Sequence, residues 1–445
     1  MKRLLIILLT ILAFASCNKD GNFSYSRQSP SGTAETWAEK TRVESDVTRN
    51  VMLLYSAGFN SLCDYLDTNI KELEEGFIPD NSTMGDHILL VYSKLTTRNK
   101  YGKTVKDYSV PTKSALFMMY RKGGSIIKDT LMVYGENVMA SDPATFRKVC
   151  QTMYNLFHAK SYGVVFTSHA SGWLPPGYYN DPNEFEPPVP LWTSSVSKKK
   201  IHATSFYPPL DSTIPVKSFG QDAVPGASLE MDMDAFAEAI PFHLKYLLID
   251  ACLSGCVEVA WQLRDKADIV GFSQAEILAE GFDYTTLASR LLVSEPDPVQ
   301  VCKDYFHRYD IRSGQSRSAT ISVVDTREMD QLAQVCRTLF EKYRSQIDSL
   351  KGNKVQGYFR YERHFFYDLL DILVKAGITN EEKAQVQDAL DRCVLYKAAT
   401  DSFLGDFTIK TACGFSMYLP SMGSDFLDNY YRNHVSWNEA TLLVE

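Results

Sequence analysis

Short apolar runs alternate with amphipathic stretches from residue 51 to about 273. Val-Met-Leu-Leu-Tyr-Ser-Ala at 51–57 is apolar on both alternating faces, which predicts a strand buried on two sides. Leu62, Leu66, Ile70 and Leu73 then recur at helical spacing, and Gly76 supplies a stop. Further strands are predicted at 86–93, at 162–168 ending on His169, at 245–251 ending on Cys252, and at 267–273. The runs 115–121 and 129–134, parted by Gly123-Gly124, predict an edge hairpin. Helices are predicted from Ser141-Asp142-Pro143 to about His158, over 231–240, and from about Ser254 to Leu263. This alternation predicts an α/β fold, a mostly parallel sheet flanked by helices. Beyond about 290 the pattern is mainly helical, at 297–309, 327–348, 361–376 and 380–398, with strand-like runs at 318–324 and 413–419. That stretch, 291–445, reads as a smaller α+β unit packed on a core domain of 46–290.

Two segments break the pattern. Residues 174–228 are rich in proline and carry Lys198-Lys199-Lys200, as expected of a long surface loop or insertion. At the start of the chain, Lys2 and Arg3 precede an apolar run, Leu4 to Phe14, and then Ala15-Ser16-Cys17. That is the layout of a secretory signal, 1–16, too short to span a bilayer as a stable helix. The cysteine after Ala-Ser resembles a bacterial lipobox, which makes Cys17 the expected lipidation site and the chain an exported lipoprotein. Asn18 resembles the sorting signal for the outer membrane and cell surface. Residues 17–45 are polar and read as a flexible tether.

A net charge of −8 argues against a nucleic-acid partner and gives a mild bias toward cationic ones. The nine cysteines are scattered; with Cys17 and Cys252 set aside, an odd number remains, so no disulfide framework or zinc site is expected.

Candidate chemistry gathers where two strands end. Ligands of α/β sheets bind beyond the carboxyl ends of the strands, and His169 and Cys252 both sit there. An imidazole that meets a thiol is the minimum equipment for cysteine nucleophilic catalysis. In this reading His169 is general base and then general acid. Cys252, expected just before a helix, is favoured as thiolate, and the backbone N–H groups of Cys252 and Ala170 are expected oxyanion donors. Ala170-Ser171-Gly172 leave room for close backbone approach. Trp173 is either a wall of the site or part of the core. Asp250, on the same strand face as Cys252, either projects into the pocket to attract a basic side chain or binds N–H groups of the following helix. Glu276, Glu280 and Asp283 form an acidic loop that either adds charge to the pocket or is solvated.

The motifs taken together resemble the clostripain-like cysteine peptidases, relatives of caspases and gingipains. Leu53–Asn60 is similar to the family's opening strand and turn, and Ser141-Asp-Pro to a helix start. Ser168-His-Ala-Ser-Gly-Trp173 resembles the catalytic histidine motif. Asp250-Ala-Cys-Leu-Ser-Gly-Cys-Val-Glu258 resembles the catalytic cysteine motif, followed by Ser273-Gln274, and Gly414–Pro420 resembles a late motif. The resemblance implies a caspase-like fold and endopeptidase activity after Arg or Lys in protein or peptide substrates. It makes His169 and Cys252 the dyad and places Asp250 in the S1 pocket. It implies no cofactor for the chemistry, calcium activation in some members, and self-cleavage between the two motifs, for which Lys198, Lys199, Lys200 and Lys217 are the candidates. One departure stands out. The family usually has glycine after the histidine, and this chain has Ala170, which would be strained if the backbone there needs positive φ. On that point rests the rival expectation of an inactive scaffold acting as a surface binding protein.

Overall fold

The computed structural model describes residues 23–24, 49–80, 87–97, 106–179, 185, 219–224, 227–359 and 364–445. The signal, Cys17, nearly all of the tether and Lys198, Lys199, Lys200 and Lys217 lie outside the described residues.

One mixed sheet of ten strands organises the chain. Its centre comprises β1 (Asn50–Gly58), β2 (His87–Leu95), β5 (Ser161–Thr167), β8 (Leu244–Asp250) and β9 (Ala267–Phe272). In the order β2-β1-β5-β8-β9, these five are all parallel. The hairpin β3 (Ser114–Lys122) and β4 (Ser125–Tyr134) extends one side antiparallel, with the two-residue strand Phe23–Ser24 outermost. β10 (Thr320–Asp325) and β11 (Val394–Ala399) extend the other side of the same sheet, also antiparallel. The expected α/β architecture is present. A small hairpin, β6 (Phe219–Val224) and β7 (Ala227–Met231), stands apart from the sheet within the proline-rich stretch.

The central strands are continuous apolar runs because both faces are covered. Leu53, Tyr55, Val164, Phe166, Leu247 and Ile249 feed one core, and Met52, Leu54, Val165, Tyr246 and Leu248 feed the other. The helices expected after β1 and before β5 form as α1 (Cys63–Glu75) and α2 (Pro143–Leu156). Asp142 caps α2 by accepting from the Ala144 N–H at 2.9 Å, with Pro143 in the first turn. Next come α3 (Met233–Ala239), α4 (Val257–Gln262), α5 (Tyr284–Leu291), α6 (Pro298–Asp310) and α7 (Met329–Ile347). The last are α8 (Leu369–Ala376), α9 (Asn380–Cys393), α10 (Asp425–His434) and α11 (Ser436–Thr441). Among the described residues no helix is long and apolar enough to cross a membrane.

Four expected elements differ. The helix expected over 361–376 is confined, among the described residues, to Leu369–Ala376, with the short strand Tyr367–Asp368 before it. The helix expected over 380–398 ends at Cys393, and Val394–Ala399 instead becomes β11, because the open edge of β10 satisfies its backbone. The strand expected over 413–419 is reduced to Ser416–Met417, paired with Tyr367–Asp368. The helix expected directly after Cys252 begins only at Val257. Leu253 adopts φ +58°, and its N–H and that of Gly255 bond to the carbonyls of Ala275 and Ser273, so the chain turns and is pinned to the segment after β9 before it coils.

Candidate active site

Register brings the two chemical residues together. β5 and β8 are parallel neighbours in which Thr167 is opposite Asp250. His169 and Cys252 each lie two residues beyond that pair, just past the carboxyl ends of the two strands. Both residues line one cleft of about 230 Å³, with Thr167, Asp250, Glu276, Ile277, Leu278, Gly281, Leu62, Leu66 and Leu404 also on its wall.

The two motifs also interlock. Gly172 has φ +61°, and a Cβ there would stand 2.4 Å from the Leu253 carbonyl oxygen. A side chain at 172 would therefore force the His169 segment off the Cys252 segment. Positive φ falls on Gly172 and not on Ala170, so the methyl of Ala170 meets no backbone strain. Ala170 is fully buried, bridged to Phe219, and stands outside the cleft lining.

The thiol of Cys252 is half-buried and sits against residue 277. The Ile277 N–H donates to Sγ at 3.4 Å, and the Ile277 carbonyl lies 3.8 Å from the same sulfur. A backbone donor from the loop after β9 thus replaces the helix N-terminus expected from the sequence, which starts too late and is too short to serve. His169 is 7% exposed, and its Nε2 lies 2.9 Å from Ser61 Oγ.

Asp250 forms the floor of the cleft. Its Oδ2 accepts from the Tyr284 hydroxyl at 2.6 Å and the Phe282 N–H at 3.2 Å. Burial pushes its carboxyl up to about 6, against these hydrogen bonds and the more distant Arg308, which favour the anion. The alternative, that Asp250 binds N–H groups of the helix after Cys252, does not occur: its backbone donor comes from the loop before α5. Of the acidic loop, only Glu276 lines the cleft. Glu280 pairs with Arg312 at 2.5 Å, while Asp283 caps α5 through the Thr285 N–H and lies 3.9 Å from Arg308. Among the described residues, the lining therefore carries two carboxylates and no Lys or Arg.

Trp173 is not a wall of the cleft. It is fully buried and packs on Phe366, Tyr418 and Tyr431. Glu258 ties that cluster together by accepting from the Tyr418 N–H and the Tyr431 hydroxyl, and burial raises its carboxyl to about 7. Sequence reasoning missed Ser61, Leu404 and Ile277. A Ser before a helix reads as a cap, and the other two reach the cleft from loops with no periodic signal. The eight described cysteines are all free thiols. No group of three or more His, Cys, Asp or Glu among the described residues is disposed to hold a metal, so they offer no cluster for the calcium implied by resemblance.

A thiol and an imidazole at the carboxyl ends of neighbouring parallel strands, over an acidic floor, define the layout of a cysteine hydrolase. The family model described as Peptidase C11, the clostripain family, matches residues 209–442, a span that includes Cys252. The chain belongs to the clostripain family of cysteine peptidases. Its fold is similar to that of an inactive zymogen C11 protease from Parabacteroides distasonis, with 24% identity, 89% of this chain and 99% of that one covered, and a TM-score of 0.68. It is equally similar to a secreted C11 cysteine protease from Bacteroides thetaiotaomicron in complex with an irreversible peptide inhibitor, with 21% identity, the same coverages and a TM-score of 0.68. None of the curated proteins compared matches the chain.

Proposed function

We propose that the protein is an endopeptidase that cleaves after Arg or Lys through a His169–Cys252 dyad. The observation that carries this reading is the single cleft that holds His169, Cys252, Asp250 and Glu276 with no lining cation among the described residues. Asp250 at its floor accepts an arginine or lysine side chain, and Glu276 adds charge from the side. The base His169 takes the thiol proton, and the Cys252 sulfur attacks the carbonyl carbon of the peptide. The oxyanion takes the backbone N–H of Cys252, while Ala170, buried outside the cleft lining, is not placed to donate. His169 then returns its proton to the leaving amine, and water releases the acyl group. Lipid anchoring at Cys17 would hold the enzyme on the outer membrane facing protein substrates, with Lys198–Lys200 and Lys217 as points of self-cleavage.

Ala170 does not favour the inactive-scaffold reading, since its backbone carries no positive φ. Profiling with peptides that vary only at P1 tests the assignment. Preferred cleavage after Arg and Lys, lost in Cys252→Ala, supports it. Cleavage after acidic or apolar residues, or no cleavage of any peptide, overturns it.

A further inference from the structure

We infer that Ser61 is the positioning residue of the dyad. Its hydroxyl accepts the Nε2–H of His169, which assigns proton exchange with Cys252 to Nδ1. This rests on the His169–Cys252 reading above. The contact is 2.9 Å between Ser61 Oγ and His169 Nε2, and it joins two segments that one buried network clamps. Asn60, fully buried, donates from Nδ2 to the Ala57 and Gln221 carbonyls at 2.8 and 2.9 Å, and to Ser168 Oγ at 3.3 Å. Its Oδ1 accepts from the Leu62 N–H at 2.9 Å, closing a turn around Ser61. Ser168, the residue before His169, donates to the same Ala57 carbonyl at 2.7 Å. The backbones that carry Ser61 and His169 are thus both fixed to the end of β1, so their distance is set by buried bonds. Although Ser61 precedes α1, its hydroxyl does not cap the helix: the N-cap residue, Leu62, has no side-chain cap, and the hydroxyl faces the imidazole instead.

The chemistry follows from the single in-plane site that each ring nitrogen offers. With Ser61 on Nε2, the nitrogen that takes the thiol proton is Nδ1. The Sγ–H bond breaks, an Nδ1–H bond forms, and the imidazolium so made is stabilised by the Nε2–H donated to Ser61. Loss of that acceptor weakens the thiolate–imidazolium pair from both sides. The thiol then ionises at higher pH, and the imidazolium loses its proton at lower pH. Among the described residues, the other titratable groups on the wall of the cleft are Asp250 and Glu276, which the substitutions below leave in place.

The test compares Ser61→Thr with Ser61→Val in the full chain, two side chains of one shape that differ in the hydroxyl. The readouts are kcat/KM on an Arg peptide across pH, and the rate of Cys252 alkylation by iodoacetamide across pH, located by mass spectrometry. Ser61→Val should lower kcat/KM about 10- to 100-fold, the range for a hydrogen bond to a charged group. It should also narrow the pH bell and move the low-pH step of alkylation upward. Ser61→Thr should stay within about 3-fold of the parent with an unmoved step. Equal effects of Thr and Val, or an unmoved step in Val, overturn the role of Ser61. His169→Ala in the same alkylation assay separates the two readings. If it abolishes the low-pH step while Ser61→Val leaves it unmoved, the dyad stands and the Ser61 proposal fails. If His169→Ala leaves the step unchanged, the dyad fails and the proposal with it.

Discussion

Replacing Asp250 with asparagine should make the protein more stable and less active on basic substrates at once. Asparagine keeps an oxygen that can accept from Tyr284 and the Phe282 N–H, so the shape of the floor survives. The charge is removed. The folded carboxyl is pushed up to about 6 by burial, above the 3.8 of an unperturbed aspartate. The native state therefore binds the proton more tightly, and stability falls as pH rises from about 4 to about 6. A gap of about two pH units, at ~1.36 kcal/mol each, makes the ionised Asp250 cost about 3 kcal/mol at neutral pH. Asp250→Asn should recover up to that amount at pH 7 and nothing at pH 4. Against this, removal of one partner of a buried charge pair costs about 2–5 kcal/mol in binding, on the order of 30- to 5,000-fold in kcat/KM. The assay pairs melting curves at pH 4 and 7 with kcat/KM on matched peptides bearing Arg or its neutral isostere citrulline at P1. The melting gap should open as pH rises, and the Arg-to-citrulline ratio should collapse. An unchanged ratio would remove Asp250 from the S1 pocket, and a variant less stable than the parent at pH 7 would refute the burial argument.

Other outcomes follow from the same geometry. Gly281→Ala places a Cβ 2.3 Å from Asp250 Oδ2 at a backbone φ of +67°, so KM for Arg peptides should rise and the melting point should drop by the equivalent of about 1 kcal/mol or more. Cys252→Ala and His169→Ala should each abolish hydrolysis of Arg and Lys peptides while near-UV circular dichroism is unchanged; normal turnover by either variant would contradict the dyad. Glu258→Gln should melt above the parent at pH 8 but not at pH 4, because burial raises that carboxyl to about 7 and its ionisation destabilises the fold. Its kcat/KM should be unchanged, since Glu258 stands outside the cleft.

Much of this site was legible because parallel strands place matched positions side by side. With 162–168 and 245–251 as buried strands, His169 and Cys252 fall at carboxyl strand ends; that the two strands are neighbours, with Thr167 opposite Asp250, is seen only in the sheet order. What local pattern could not show were the long-range partners. Val394–Ala399 continues the apolar spacing of a helix, yet its backbone completes an edge of the sheet. Trp173 beside a catalytic motif suits either a wall or a core, and the choice is made by Tyr418 and Tyr431, more than 240 residues away in sequence. The acidic loop 276–283 was ambiguous for the same reason, because Arg312 and Arg308 decide which carboxylates still face the cleft. The doubt over Ala170 was a question of one dihedral angle, which the structure answers by assigning positive φ to Gly172 instead.

The most direct test of the central claim is covalent labelling of the full chain with a peptide electrophile that carries lysine at P1, followed by mapping of the modified residue by mass spectrometry. The account predicts one adduct, on Cys252, strongly reduced in Asp250→Asn and absent in His169→Ala. An unmodified Cys252, or equal labelling by a probe with aspartate at P1, would contradict it.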